Sequence, residues 1–145
     1  MVAFINCCKA KASVKTKARL LYQSWFFKAM LKYVSEKVGE NQVYILSAKY
    51  GILGLDDKVE PYNLKLTEQT ENDWAEMVFN QAKERGIDLE NAVYYCASAY
   101  YEPIKRKLET VKGGVVNLTV PFEGLNLQKR SVLITNYSKG EDDLF

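Results

Sequence analysis

Apolar and polar positions alternate along the chain in blocks that predict strands and helices in turn. Residues 2–7 (VAFINC) form a short apolar run, the pattern of a buried strand. A polar, basic connector over 8–16 follows. From 17 to 40 the apolar positions Leu20, Phe27, Leu31, Val34 and Val38 fall on one helical stripe, which Gly39 ends. Residues 42–47 are rich in β-formers (Val43, Tyr44, Ile45) and predict a second strand. The stretch 48–66 shows no period, and Gly51, Gly54 and Pro61 punctuate it; irregular stretches this long are often functional. Thr70 with Asp73 resembles a capping box opening a helix through Arg85, with Gly86 as its stop and Trp74, Met77, Val78 and Ala82 as its core stripe. Residues 92–97 predict a third strand. Residues 100–111 predict a helix with Pro103 in its first turn. Residues 115–120 predict a fourth strand, and 126–135 a last helix.

Strands alternating with helices imply an α/β fold: a mainly parallel sheet of about four strands with helices on both faces. At 145 residues this is one domain, 1–145, which buries roughly 68–70% of its unfolded surface. Hydrophobic residues make up 48% and charged residues 26%, values that place the chain among ordinary globular domains rather than disordered ones. No apolar run is long enough to span a membrane, and the first eight residues are too short for a signal peptide. Three cysteines, two of them adjacent (Cys7, Cys8), do not suit a structural disulfide framework, so a reducing, cytoplasmic setting is expected.

Charge changes the picture locally. The net charge is only +2, yet no Asp or Glu precedes Glu36, whereas Lys9, Lys11, Lys15, Lys17, Arg19, Lys28 and Lys32 all do. These cations are open to two readings, a solvated loop and helix face or an edge that attracts phosphate. The acidic run Glu141–Asp143 reads as a solvated end. The ten tyrosines, each with an apolar body and a polar tip, suit either a core or a surface that contacts rings or sugars.

The chain contains no histidine, which removes Ser–His and Cys–His schemes and the commonest metal ligand. The cysteine spacing is not that of a zinc site, and no Gly-rich phosphate loop occurs, so no metal and no cofactor are expected. Chemistry would then rest on carboxylates, lysines, tyrosines or a thiol. Two stretches stand where ligands sit in open α/β sheets, outside the carboxyl ends of strands. The first is Asn6-Cys7-Cys8-Lys9-Ala10-Lys11. The second is Ser47-Ala48-Lys49-Tyr50-Gly51, continuing through Asp56, Asp57, Glu60, Pro61 and Tyr62. Gly51 after Tyr50 suggests a backbone turn that needs positive φ. Tyr22, near the start of the first helix, and Tyr100, after the third strand, are further candidates for ligand contact. For each, the alternative is plain packing.

The segments Cys7-Cys8-Lys9-Ala10-Lys11, Leu21-Tyr22-x-Ser24-x-x-Phe27, Ile45-Leu46-Ser47-Ala48-Lys49-Tyr50-Gly51-Ile52-Leu53 and Glu60-Pro61-Tyr62 resemble a family of bacterial and phage proteins. That family looks related to the peroxide-stress protein YaaA, with a looser resemblance to a domain of archaeosine synthase. The likeness continues through Tyr101-Glu102-Pro103 and Pro121–Leu125, so it covers nearly the whole chain. It implies an association with DNA or modified bases. This chain is much shorter than YaaA, so DNA contacts made there by additional segments do not carry over.

These readings converge on a nucleic-acid or nucleotide partner. An enzyme cleaving or exchanging a nucleobase N-glycosidic bond needs an aromatic shelf, groups that settle charge on the leaving base, and a carboxylate near the sugar. Glu60, Lys49 and Lys11 are the catalytic candidates. Cys7, Lys9, Tyr22, Ser47, Tyr50, Gly51, Tyr62 and Tyr100 are the substrate-binding candidates. The alternative is a non-catalytic nucleotide- or DNA-binding protein, an accessory or inhibitor in a phage or in stress response, in which lysines hold phosphates and tyrosines stack on bases.

Overall fold

The structure is a computed structural model that describes residues 1–138; the acidic run Glu141–Asp143 lies outside them. Strands β1 (Ala3–Asn6), β3 (Val43–Ser47), β4 (Gly51–Gly54) and β6 (Val93–Tyr95) form one mixed sheet in the order β4-β3-β1-β6. β1 pairs parallel with both β3 and β6, while β4 runs antiparallel to β3 at the edge. A separate two-residue ladder joins β2 (Thr16–Lys17) to β5 (Lys58–Val59). Among the described residues five helices accompany the strands: α1 (Ala18–Leu21), α2 (Trp25–Val38), α3 (Glu71–Arg85), α4 (Ser98–Lys112) and α5 (Leu127–Ser138). The protein is therefore α/β with a mostly parallel four-stranded sheet.

Strand alternation divides the core. Ala3 and Ile5 of β1 pack in a cluster with Phe27, Met30 and Val34 of α2 and Ile134 of α5. Phe4, between them, packs in a second cluster with Trp74 and Val78 of α3 and Ile104 of α4. Burial of each large side chain stabilises the fold by about 1.5–3 kcal/mol.

Four departures from the sequence pattern bear on the site. The helix expected over 17–40 is two helices. Tyr22 between them is extended (φ −85°, ψ 122°) and bridges to Lys11, and the Ser24 hydroxyl restarts the chain as α2 by accepting the Phe27 N–H at 3.0 Å. Leu20 consequently leaves the predicted stripe and is exposed, whereas Phe27 and Val34 are buried. The irregular stretch 48–66 hides β4 and β5. The fourth sheet strand is accordingly β4 and not 115–120, which contributes a single parallel bridge from Thr119 to Val93. Helix α4 begins at Ser98, so Pro103 falls in its second turn. Thr70 makes no side-chain cap to α3; its hydroxyl instead accepts the Thr67 N–H at 3.2 Å.

Candidate functional site

The carboxyl ends of β1, β3 and β6 meet at one edge of the sheet. Asn6 ties two of them together: its Oδ1 accepts the Ala97 N–H at 3.0 Å beyond β6, and its Nδ2 donates to the Cys7 carbonyl at 2.9 Å. Cys7 N–H donates to the Leu46 carbonyl on β3 at 3.0 Å. After Cys7 the chain turns away and runs beside the α1–α2 junction. There Ala12 N–H donates to Leu21 and Gln23 N–H to Ala10, each at 2.8 Å. This short antiparallel pairing carries Lys9 and Lys11 to the sheet edge.

Ser47, the last residue of β3, is fully buried. Its hydroxyl accepts the Lys49 N–H at 3.2 Å and the Tyr50 N–H at 3.0 Å, closing the β3–β4 turn. Both lone pairs are thereby occupied, so its one hydrogen goes to the Tyr62 hydroxyl, 2.7 Å away. Tyr62 Oη is also 2.7 Å from Tyr22 Oη, which gives a continuous Ser47–Tyr62–Tyr22 chain. The Lys11 ammonium caps this chain, 4.4 Å from the centre of the Tyr62 ring and 5.9 Å from that of Tyr22, in cation–π contact. Tyr50 meets the Tyr62 ring edge to face at 5.4 Å.

Second-layer residues hold the turn rigid. Trp74 Nε1 donates to the Ser47 carbonyl at 2.8 Å. Gln81 clasps the hairpin from α3: its Oε1 accepts the Ile52 N–H and its Nε2 donates to the Tyr50 carbonyl, both at 2.8 Å. Gly51 makes this possible. Its φ of +72° is the turn anticipated from sequence, and a Cβ there would lie 2.2 Å from Gln81 Oε1.

Beside this network opens a cavity of about 430 Å³, lined by Cys7, Cys8, Lys9, Lys11, Asn63, Leu64, Lys65 and Tyr100. Cys7 Sγ lies 3.2 Å from Tyr100 Oη, and Tyr100 stacks edge to face on Trp74 at 5.7 Å. Three of the lining residues are lysines and none of those named is a carboxylate. Burial raises the Tyr22 phenol from 10.0 to about 12, opposed by its bonds to Tyr62 and Ser47. Burial likewise pushes Tyr62 and Tyr100 up, with Cys7 reinforcing both shifts. At neutral pH these phenols are uncharged hydrogen-bonding groups.

The sequence-derived candidates divide as follows. Cys7, Lys9, Lys11 and Tyr100 line the cavity. Tyr22, Ser47, Tyr62, Tyr50 and Gly51 build the wall and turn behind it. Lys49 is exposed, its ammonium 5.3 Å from the Tyr50 ring centre, and Glu60 is exposed; neither lines the cavity. Asp57 is engaged by Gly54 N–H and Arg85, and Asp56 by Arg19 and Lys17. Asn63, Leu64 and Lys65 went unselected in sequence; their signal was position, directly after Pro61-Tyr62 on the same segment. Among the described residues no group of three or more His, Cys, Asp or Glu side chains is placed to hold a metal, and no helix is long and apolar enough to cross a membrane.

Fold and site together define a small α/β domain with a lysine-, thiol- and tyrosine-lined cleft at the strand ends. The chain matches the model of DUF6884, a family of unknown function, over residues 2–136, and belongs to that family. No curated protein matches it.

Proposed function

We propose that the cleft binds a nucleotide, free or as part of a nucleic acid, with its phosphate on Lys9, Lys11 and Lys65 and its base against Tyr100. The observation that supports this most is the cavity lining, which sets three ammonium groups and a phenol ring around one hollow with no carboxylate among them. Such a lining attracts an anion that also carries an aromatic face. The three free thiols support a reducing, cytoplasmic setting, and the resemblance to the YaaA group agrees with a nucleic-acid partner.

A second reading adds turnover at the N-glycosidic bond. It is favoured by Lys11, which reaches the cavity, and by Glu60, which lies on the segment leading from β5 to the lining residues Asn63–Lys65.

Titration of nucleoside monophosphates and short oligonucleotides tests binding. Lys11→Ala should weaken binding and flatten its salt dependence; salt-independent binding by the wild type would remove the phosphate role. Mass spectrometry of the incubated nucleic acid tests turnover. Base release that Glu60→Gln abolishes at unchanged affinity supports the second reading, and absence of base or sugar product across substrates defeats it.

A further inference from the structure

The cleft has an aromatic neighbour that its own chemistry does not use. Trp25, the first residue of α2, is 59% exposed, whereas the other tryptophan, Trp74, is buried. Its place is fixed. Ser24 caps α2 immediately before it, and Gln23, two residues earlier, bonds the Ala10 carbonyl at 2.8 Å, between the cleft lysines Lys9 and Lys11. No more than about 7 Å of chain separates Trp25 from that anchor. Leu20, 55% exposed, lies on the preceding helix.

Along the chain, the charge before Glu36 is one-sided. Residues 1–35 contain no Asp or Glu, and Lys9, Lys15 and Lys28 are exposed on the segments around Trp25. An exposed indole on a segment whose charged residues are all cations, two residues from the anchor to the stretch that bears the cleft lysines, has the composition of a surface that tracks a phosphate backbone and stacks its bases.

We infer that the ligand is single-stranded nucleic acid, with one nucleotide in the cleft and the adjoining base stacked on Trp25. This rests on the nucleotide reading of the cleft and makes it more specific: a mononucleotide fills only half of the site. Trp25 is a binding residue for the strand and takes no part in holding the nucleotide within the cleft.

The test compares one deoxynucleoside monophosphate with a short oligothymidylate, on wild type, Trp25→Ala and Trp25→Phe, by equilibrium titration at fixed salt. The oligonucleotide should bind the wild type more tightly and quench its exposed tryptophan. Trp25→Ala should weaken the oligonucleotide about tenfold or more and leave the mononucleotide unchanged, and Trp25→Phe should recover much of the loss. An oligonucleotide that binds no tighter than the mononucleotide overturns the inference while the cleft reading stands. So does a Trp25→Ala variant that affects both ligands equally, or neither. Failure of both ligands to bind the wild type defeats the cleft reading and this inference together. Because Trp25 is exposed, an unchanged melting temperature should confirm that the variants are folded.

Discussion

Replacing Gly51 by Ala should damage the site through two separable effects. The first is conformational: at φ +72° an Ala costs about 1–2 kcal/mol over Gly. The second is steric. The new Cβ would stand 2.2 Å from Gln81 Oε1 and 3.1 Å from the Met77 methyl, so the Gln81 amide must leave. With it go the bonds to Ile52 N–H and the Tyr50 carbonyl, at about 0.5–1.5 kcal/mol each, more if those backbone groups stay unpaired. The total is about 2–5 kcal/mol, a large share of the roughly 5–15 kcal/mol that holds a domain folded. For a chain of this length it lowers the melting temperature by on the order of 10 °C. Urea unfolding followed by the fluorescence of buried Trp74 measures it. Gln81→Ala alone should cost about 2 kcal/mol, and the double variant should cost clearly less than the sum, because the amide is lost only once. A Gly51→Ala loss under about 1 kcal/mol, or strict additivity in the cycle, would refute the clasp.

Three further predictions follow from the same geometry. Ser47→Ala strands two backbone N–H groups and removes one of the two partners of the Tyr62 hydroxyl, and should cost about 2–4 kcal/mol in chemical unfolding, whereas Ser47→Thr keeps the hydroxyl and should cost less. Tyr22 has a folded pKa raised to about 12 against 10.0, so stability is level below pH 10 and falls from there towards pH 12, with Tyr62, Tyr94 and Tyr100 steepening the loss. Tyrosinate absorbance and circular dichroism should therefore change together in that window; ionisation of these tyrosines in a protein that keeps its fold would contradict the burial. A maleimide should label Cys8 first, Cys7 more slowly and Cys96 last, since Cys96 is enclosed and burial pushes its thiol up. Bound nucleotide should protect Cys7 and Cys8, which line the cavity, and protection of Cys96 alone would place the ligand elsewhere.

What the sequence disclosed tracks the strength of local patterning. β1, β3 and β6 are legible as short apolar, β-rich runs, and α3 by its helical stripe and the Gly86 stop. β4 was hidden by its brevity: Gly51 and Gly54 flank only Ile52 and Leu53, which serve opposite core clusters, and the pairing that makes them a strand comes from β3. The break at Tyr22 is likewise tertiary. Helical periodicity continues through it, but its ring is buried and its hydroxyl is held by Tyr62, forty residues on. The candidate stretches 7–11 and 47–62 were correctly juxtaposed by strand topology. Which lysines face the cavity was not legible, because the turn after Ser47 leaves Lys49 exposed whereas pairing with residues 21–23 draws Lys11 over the tyrosines. Lys65 completes the cation set from a segment with no periodic signal at all.

The central claim is most directly tested by a crystal structure of the protein soaked with a nucleoside monophosphate. The phosphate should lie among Lys9, Lys11 and Lys65 at the end of β1, with the base at Tyr100. A well-ordered ligand elsewhere, for instance in the apolar groove between Leu125 and the α5 residues Val132 and Leu133, with the strand-end cleft empty, would contradict it.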